Sequence, residues 1–353
     1  MNLTPERLRE AAAVAPSPRQ LAWQQMEFYG FIHFGMNTFT GREWGDGTAS
    51  PALFDPACLD AGQWARALKS AGMRGMILTC KHHDGFCLWP SAHTGYSVKY
   101  APWKGGRGDV VREAAEACRR AGLKFGVYLS PWDRHDPRYG AGKPYDDYYV
   151  AQLTELLTGY GELFCVWLDG ACGEGPNGRR QAYDWARYYE TIRALQPGAV
   201  ISVCGPDVRW CGNEAGHCRP SEWSVVPAAL RDAAYTAERS QQEDSAPDHP
   251  PALAADGLPG TYWQAAPGRT GAALTLTFPQ EETVSCVVLG EYLPAGQRIE
   301  AGRIEADGRT IASFTVVGHK RICRFAPVRD RALTIRITAA RAEPALRLIA
   351  AYR

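Results

Sequence analysis

The chain has 353 residues, enough for about two domains at ~150 residues each. Hydrophobic residues make up 45% and charged residues 22%, a globular balance that argues against global disorder or coiled coil. Net charge is +1; residues 251–353 hold 13 Arg+Lys and 9 Asp+Glu, the rest 26 and 29, so neither part has the basic excess of a nucleic-acid surface.

The first residues, MNLTPERLREAAAVAPSPRQ, contain no apolar signal core. No apolar run approaches the ~20 residues of a membrane span. The 11 cysteines are scattered, odd in number, and form no CxxC pair or zinc-like spacing. They read as reduced, mostly buried thiols, so a cytoplasmic location is the expectation.

Up to about residue 235, short apolar runs bounded by glycine alternate with amphipathic stretches. The runs are FYGFIHFG (28–35), GMRGMILTC (72–80), GLKFGVYLS (122–130), GELFCVWLDG (161–170) and GAVISVCG (198–205). Buried parallel strands have this composition. The stretches 59–72, 109–122 and 179–198 have helical spacing, with Asp109 as N-cap and Gly122 as C-cap of the second. Strand ends 36 to 50 residues apart suit repeated βα units. About 215 residues is short of the ~250 typical of a (β/α) barrel, so a TIM-like barrel is expected, incomplete or irregular after about residue 235.

A Pro, Ser, Asp and Gln-rich stretch follows, and then a strand-rich region: 273–278, 283–289, 298–306, 333–338 and 345–352. The expected organisation is a barrel-like domain over 1–240, a linker over 241–255, and an antiparallel β-sandwich over 256–353.

In a barrel the chemistry sits where the strands end. His33, Glu43 and Trp44 follow the first strand, and His82, His83, Asp84 and Trp89 follow the second. Tyr128 and Trp132 belong to the third, Trp167 and Asp169 to the fourth, and Arg209, Trp210, Glu214, Glu222 and Trp223 lie past the fifth. Six of the 11 tryptophans fall at or just past strand ends. Aromatic faces for C–H groups, with carboxylates and imidazoles for hydroxyls, make a sugar pocket. His82, His83 and Asp84 with His33 could also hold a metal. No HxH or HExxH spacing supports that, and neighbours on an extended strand point to opposite faces. No metal or cofactor is expected. Asp169 ends the apolar run VWLDG, where a buried carboxylate costs several kcal/mol, on the order of 3 or more, unless paired or used. A retaining glycosidase needs such a carboxylate and a second one ~5–5.5 Å away; Glu43, Glu214 and Glu222 are the candidates.

The segments HFGMNTFTGREWGDG, KHHDGFCLWPS, GVYLSPWDRH, VWLDGA and GPDVRWCGNEAG…EWSVVP, in this order over roughly residues 20–240, resemble the α-L-fucosidases of glycoside hydrolase family 29. They look most like the branch acting on α-1,3/4-linked fucose. The resemblance implies a (β/α) barrel followed by a discoidin-like sandwich, and double displacement with retention. It implies Asp169 as nucleophile and Glu214 as acid/base. His33, His82, His83, Glu43, Trp44 and Tyr128 match binders of the fucose hydroxyls. Trp210 and Trp223 fall on the aglycone side, and Arg209 or a nearby Trp would tune Glu214. Trp132 joins the aromatic lining. Phe34, Trp89 and Trp167 are candidates for the wall against the fucose methyl. The implied partner is a fucosylated oligosaccharide. An open barrel exposes sheet edge and apolar core, which the sandwich or a second copy of the chain would cover, so a homo-oligomer is a further expectation. The alternative is a fucose-binding homologue with weak or no turnover, favoured by the shortened segment after 235.

Overall fold

The structure, a computed structural model, describes residues 5–209, 223, 245–258 and 260–353. Two compact units divide the chain: Pro18–Trp210, and Cys211–Arg353 together with Met1–Ser17.

The first unit is built on six parallel strands in sequential order: β1 (Gly30–Ile32), β2 (Gly75–Lys81), β3 (Lys124–Leu129), β4 (Cys165–Leu168), β5 (Val200–Val203) and β6 (Val208–Arg209). Each apolar run of the sequence supplies one of the first five. The helices of this unit are α2 (Pro18–Met26), α3 (Met36–Thr40), α4 (Ala61–Ser70), α5 (Val110–Ala121), α6 (Lys143–Gly159) and α7 (Trp185–Leu195); α1 (Pro5–Ala13) belongs to the other unit. The caps of α5 are as read: the Asp109 carboxylate accepts from the Arg112 amide at 2.9 Å, and Gly122 takes the left-handed conformation at φ 66°. The sequence reading missed α6, because its tyrosines and leucines are buried on several sides and blur the helical period.

Strand alternation divides the sheet into two faces. Leu78, Val127, Val166 and Ile201 pack into the large core with the helices. Ile77, Tyr128, Cys165 and Val200 lie on the opposite face, in a second cluster with Met26 and Phe164. The mixed fold with a parallel sheet is as expected; among the described residues the sheet is open, and no ladder joins β6 to β1. Because all six strands are parallel, their carboxyl ends fall along one edge, and the loops leaving that edge carry the candidate residues.

The second unit holds an antiparallel sheet in the order β10-β9-β11-β8-β12-β7, from β7 (Trp263–Gln264), β8 (Ala272–Glu291), β9 (Ile299–Ala306), β10 (Arg309–Phe314), β11 (Arg321–Ala340) and β12 (Ala345–Tyr352). The two sheets expected of a sandwich are one continuous ladder here. The reason is the length of β8 and β11, 20 residues each, which pair with different neighbours at their two ends. Their register shifts between Arg324 and Val328, and between Asp330 and Ala332. Pro327 sits in the first break, where its missing N–H costs no ladder bond. A single core gathers Trp263, Leu274, Val287, Leu289, Ile304, Leu333, Ile335 and Ile349.

Candidate active site

Asp169 follows β4 directly, and its side chain is 29% exposed. The Tyr128 hydroxyl donates to Oδ2 at 2.7 Å, and the Ala171 amide donates to Oδ1 at 2.8 Å. Tyr128 is the β3 residue in register with Trp167 of β4, so the ladder itself brings phenol and carboxylate together. Burial, and then the Asp169 charge, push the Tyr128 phenol far above its usual value. It therefore stays protonated and acts as a fixed donor.

Around this carboxylate the ends of β1, β2 and β3 contribute a connected group of rings. His33 meets His82 edge to face at 4.7 Å between centroids. The His82 and His83 rings lie 4.0 Å apart with 31° between their planes. His83 sits 4.8 Å from Trp132, and exposed Trp44 reaches both His83 (5.9 Å) and Trp132 (6.0 Å). Adjacent His82 and His83 do not face opposite ways, because β2 ends at Lys81. The chain turns there, with the Gly85 amide bonded to the His82 carbonyl, and both rings share one side. His83 Nε2 is 4.0 Å from Asp169 Oδ2.

Burial is the main cause that lowers both imidazoles. His82 falls to about 2, with His83 and His33 adding to the effect. His83 falls to about 4: burial, His33 and Arg134 outweigh the opposing pull of Asp169. Both are neutral at physiological pH and act as hydrogen-bonding groups rather than charges.

The remaining sequence-derived residues divide. Trp132 is locked by its indole N–H on the Glu174 carbonyl and by Gly173, where a Cβ would come within 2.1 Å of the ring. Trp167 is half-buried and stands edge to face with Phe31 at 5.3 Å. Glu43 is exposed beside Trp44, and its carbonyl accepts from Asn37. Trp89 is corrected: it is 2% exposed, packed in the large core, and its N–H is spent on Glu155 of α6 at 2.7 Å, so it offers no face to a ligand. Phe34 is partly buried and packs among Phe39, Phe54 and Trp64. Arg209 is exposed on β6. Trp223 belongs to the second unit, where the Arg341 guanidinium lies 3.4 Å over its ring. Glu214, Glu222 and Trp210 lie outside the described residues. Among the described residues, no group of three or more His, Cys, Asp or Glu side chains is placed to hold a metal ion, and no helix is long and apolar enough to cross a membrane.

The sequence reading missed Phe31, Asn37 and Ser130. Phe31 has ring contacts with His33, Tyr128 and Trp167. Asn37 and Ser130 bond directly to the two histidines. Only the position of Ser130, at the end of the strand that carries Tyr128, signalled it.

Beneath the site lies a buried ion pair. Lys81, the residue before His82, donates to Asp133 Oδ2 at 3.0 Å and to Gln152 Oε1 at 2.9 Å; Lys81, Asp133 and Gln152 are all 0% exposed. Asp133 follows Trp132, and its Oδ1 also accepts from the His135 and Asp136 amides. Burial alone would push this carboxyl up; Lys81 and the two amides overcome it and hold it below the usual range.

An aspartate held by a phenol stands at the carboxyl edge of a parallel sheet, beside neutral imidazoles and tryptophans, an arrangement chemically able to bind hydroxyl groups and C–H faces. The family model described as Alpha-L-fucosidase matches residues 13–217. Alpha-L-fucosidase 1 of Arabidopsis thaliana is 52% identical over 211 residues, 60% of this chain and 41% of that protein. The crystal structure of SpGH29 matches with TM-score 0.85 and 30% identity, covering 97% of this chain and 98% of that one. A glycoside hydrolase 29 family member from an unknown rumen bacterium matches with TM-score 0.78 and 33% identity over 96% of this chain and 77% of that one. The chain belongs to the alpha-L-fucosidase family, glycoside hydrolase family 29. Its match spans less than half the length of the Arabidopsis relative.

Proposed function

We propose that the chain is a retaining exo-α-L-fucosidase that removes terminal α-1,3/4-linked fucose from Lewis-type oligosaccharides. The observation that carries the reading is Asp169: a part-exposed carboxylate at a strand end, fixed by the Tyr128 hydroxyl and the Ala171 amide, facing a ring of hydrogen-bonding imidazoles. Asp169 attacks the anomeric carbon and forms a glycosyl-enzyme as the leaving oxygen departs. Glu214 protonates that oxygen and then deprotonates the incoming water; its assignment rests on its place in the family's motif. His33 and the neutral His82 and His83 exchange hydrogen bonds with fucose hydroxyls, Trp44 and Trp132 cover C–H faces, and the methyl group lies against Trp167 and Phe31.

The test is fucose release from Lewis a and Lewis x trisaccharides beside 2′-fucosyllactose. The expected result is release from the Lewis sugars with retained anomeric configuration, and loss of turnover by orders of magnitude, roughly 10³-fold or more, in a folded Asp169→Asn variant. Release mainly from 2′-fucosyllactose overturns the linkage. Near-normal turnover by Asp169→Asn overturns the nucleophile. No release by a folded protein overturns the enzymatic reading.

A further inference from the structure

The two adjacent histidines of the site have different partners behind them. Ser130 Oγ is 2.7 Å from His83 Nδ1 and 2.8 Å from the Trp132 carbonyl oxygen. A carbonyl can only accept, and a serine hydroxyl has one proton. Both bonds form only if Ser130 donates to Trp132 and His83 Nδ1–H donates to Ser130. The opposite arrangement would turn the serine proton to His83 and leave Nε2–H facing Asp169 across 4.0 Å, beyond hydrogen-bond reach. Two good bonds win over one.

Asn37 on α3 sets the other ring. Its Nδ2 lies 3.4 Å from the Glu43 carbonyl oxygen and 3.3 Å from His82 Nδ1. The Glu43 carbonyl again only accepts, which identifies the amide atom facing it as nitrogen. That nitrogen's second proton then points to His82 Nδ1, which accepts it. A neutral imidazole that accepts at Nδ1 carries its proton on Nε2.

We propose that Ser130 and Asn37 are positioning residues that hold the site histidines in opposite tautomers, His83 with a bare Nε2 and His82 with Nε2–H. The site thereby offers one acceptor and one donor side by side, a pattern matched by vicinal hydroxyls of a sugar. It has a consequence for Asp169. A bare His83 Nε2 cannot donate to Oδ2, so the carboxylate keeps Tyr128 and Ala171 as its donors and is not quenched by an imidazole N–H. The functional part rests on the fucosidase reading; the tautomers do not.

The experiment is long-range ¹H–¹⁵N correlation NMR of the ¹⁵N-labelled full chain at neutral pH, with the two rings assigned by His82→Gln and His83→Gln. The expected wild-type spectrum has a proton on His83 Nδ1 and on His82 Nε2. Ser130→Ala moves His83 toward Nε2–H while His82 is unchanged, and Ser130→Thr, which keeps the hydroxyl, restores the wild-type pattern. Asn37→Asp, which replaces the donor by an acceptor, moves the His82 proton to Nδ1. On an aryl fucoside, Ser130→Ala and Asn37→Asp each lower kcat/KM about 10- to 100-fold, the scale of losing an orienting partner; Ser130→Thr stays within a few-fold of wild type. A wild-type spectrum with both histidines in the same tautomer overturns the proposal, and so does an unchanged His83 pattern in folded Ser130→Ala. If the tautomers are as assigned but the wild type releases no fucose, the fucosidase reading fails and the assignment of Ser130 and Asn37 stands.

Discussion

Replacing Lys81 by methionine tests whether the buried ion pair beneath the site holds the first unit together. Lys81, Asp133 and Gln152 are fully enclosed, so the substitution leaves the Asp133 charge without its cation and the Gln152 carbonyl without its donor. Breaking one partner of a buried pair costs about 3–5 kcal/mol. For a unit of this size, each kcal/mol lowers the melting temperature by roughly 2–4 °C, giving a loss of about 6–20 °C. The pH dependence changes sign as well. In the wild type the carboxyl is held low, so its contribution is present above about pH 4 and lost as pH falls. In Lys81→Met, burial is no longer opposed by the lysine and the carboxyl moves up; stability is then lost as pH rises. The gap between the two proteins is widest near neutrality and narrows toward pH 4. The double variant Lys81→Met/Asp133→Asn keeps the oxygen that accepts from the His135 and Asp136 amides and removes the orphan charge. It recovers more than half of the loss. Calorimetric melts of the three proteins from pH 4 to 8 decide the matter. A single-variant loss below about 1 kcal/mol, or effects that simply add, would refute the reasoning.

Three further outcomes are expected. Tyr128→Phe removes a hydrogen bond to a charged group, about 1.5–3 kcal/mol, so kcat on an aryl fucoside falls about 10- to 100-fold with the melting temperature little changed. The two neutral histidines make the first unit acid-sensitive: their folded values lie below the unfolded ~6.5, so the stabilisation is complete above that pH and is lost below it. The slope is up to about 1.4 kcal/mol per pH unit for each, and chemical denaturation of His82→Gln/His83→Gln between pH 4 and 7 should flatten it. In the second unit, Glu291 accepts from the Arg298 and Ile299 amides on one oxygen and the Gly318 amide on the other. Glu291→Gln sets an amide N–H against the Gly318 N–H, costs about 1–3 kcal/mol in thermal unfolding, and leaves fucose release unchanged.

The strands β2 to β5 of the first unit were legible because a parallel strand buried along most of its length is a short apolar run, and β1 was legible from the same composition although Phe31 is exposed. The order of those runs by itself places His33, His82, His83, Tyr128 and Asp169 at one edge. Asp109 and Gly122 were legible for a local reason, since a helix needs a cap acceptor at its start and a left-handed residue at its end. Trp89 was misread because a tryptophan after a strand looks the same whether its N–H meets a ligand or, as here, Glu155 from a helix 66 residues on. The Lys81–Asp133–Gln152 core escaped notice because its members are 52 and 71 residues apart and charged residues default to the surface.

The sequence alone thus determined the class of the first unit and the family, because these depend on local composition and on motifs in a fixed order. Tertiary structure decided three things. The strands of the second unit form one ladder, because β8 and β11 are long enough to serve both ends of it. His82 and His83 stand side by side, because the chain turns immediately after Lys81. The protons on those two rings are placed by Asn37, 45 residues before His82, and by Ser130, 47 residues after His83. Where a hydrogen goes depends on which acceptors crowd the group behind it, and that is a property of packing, which no linear pattern records.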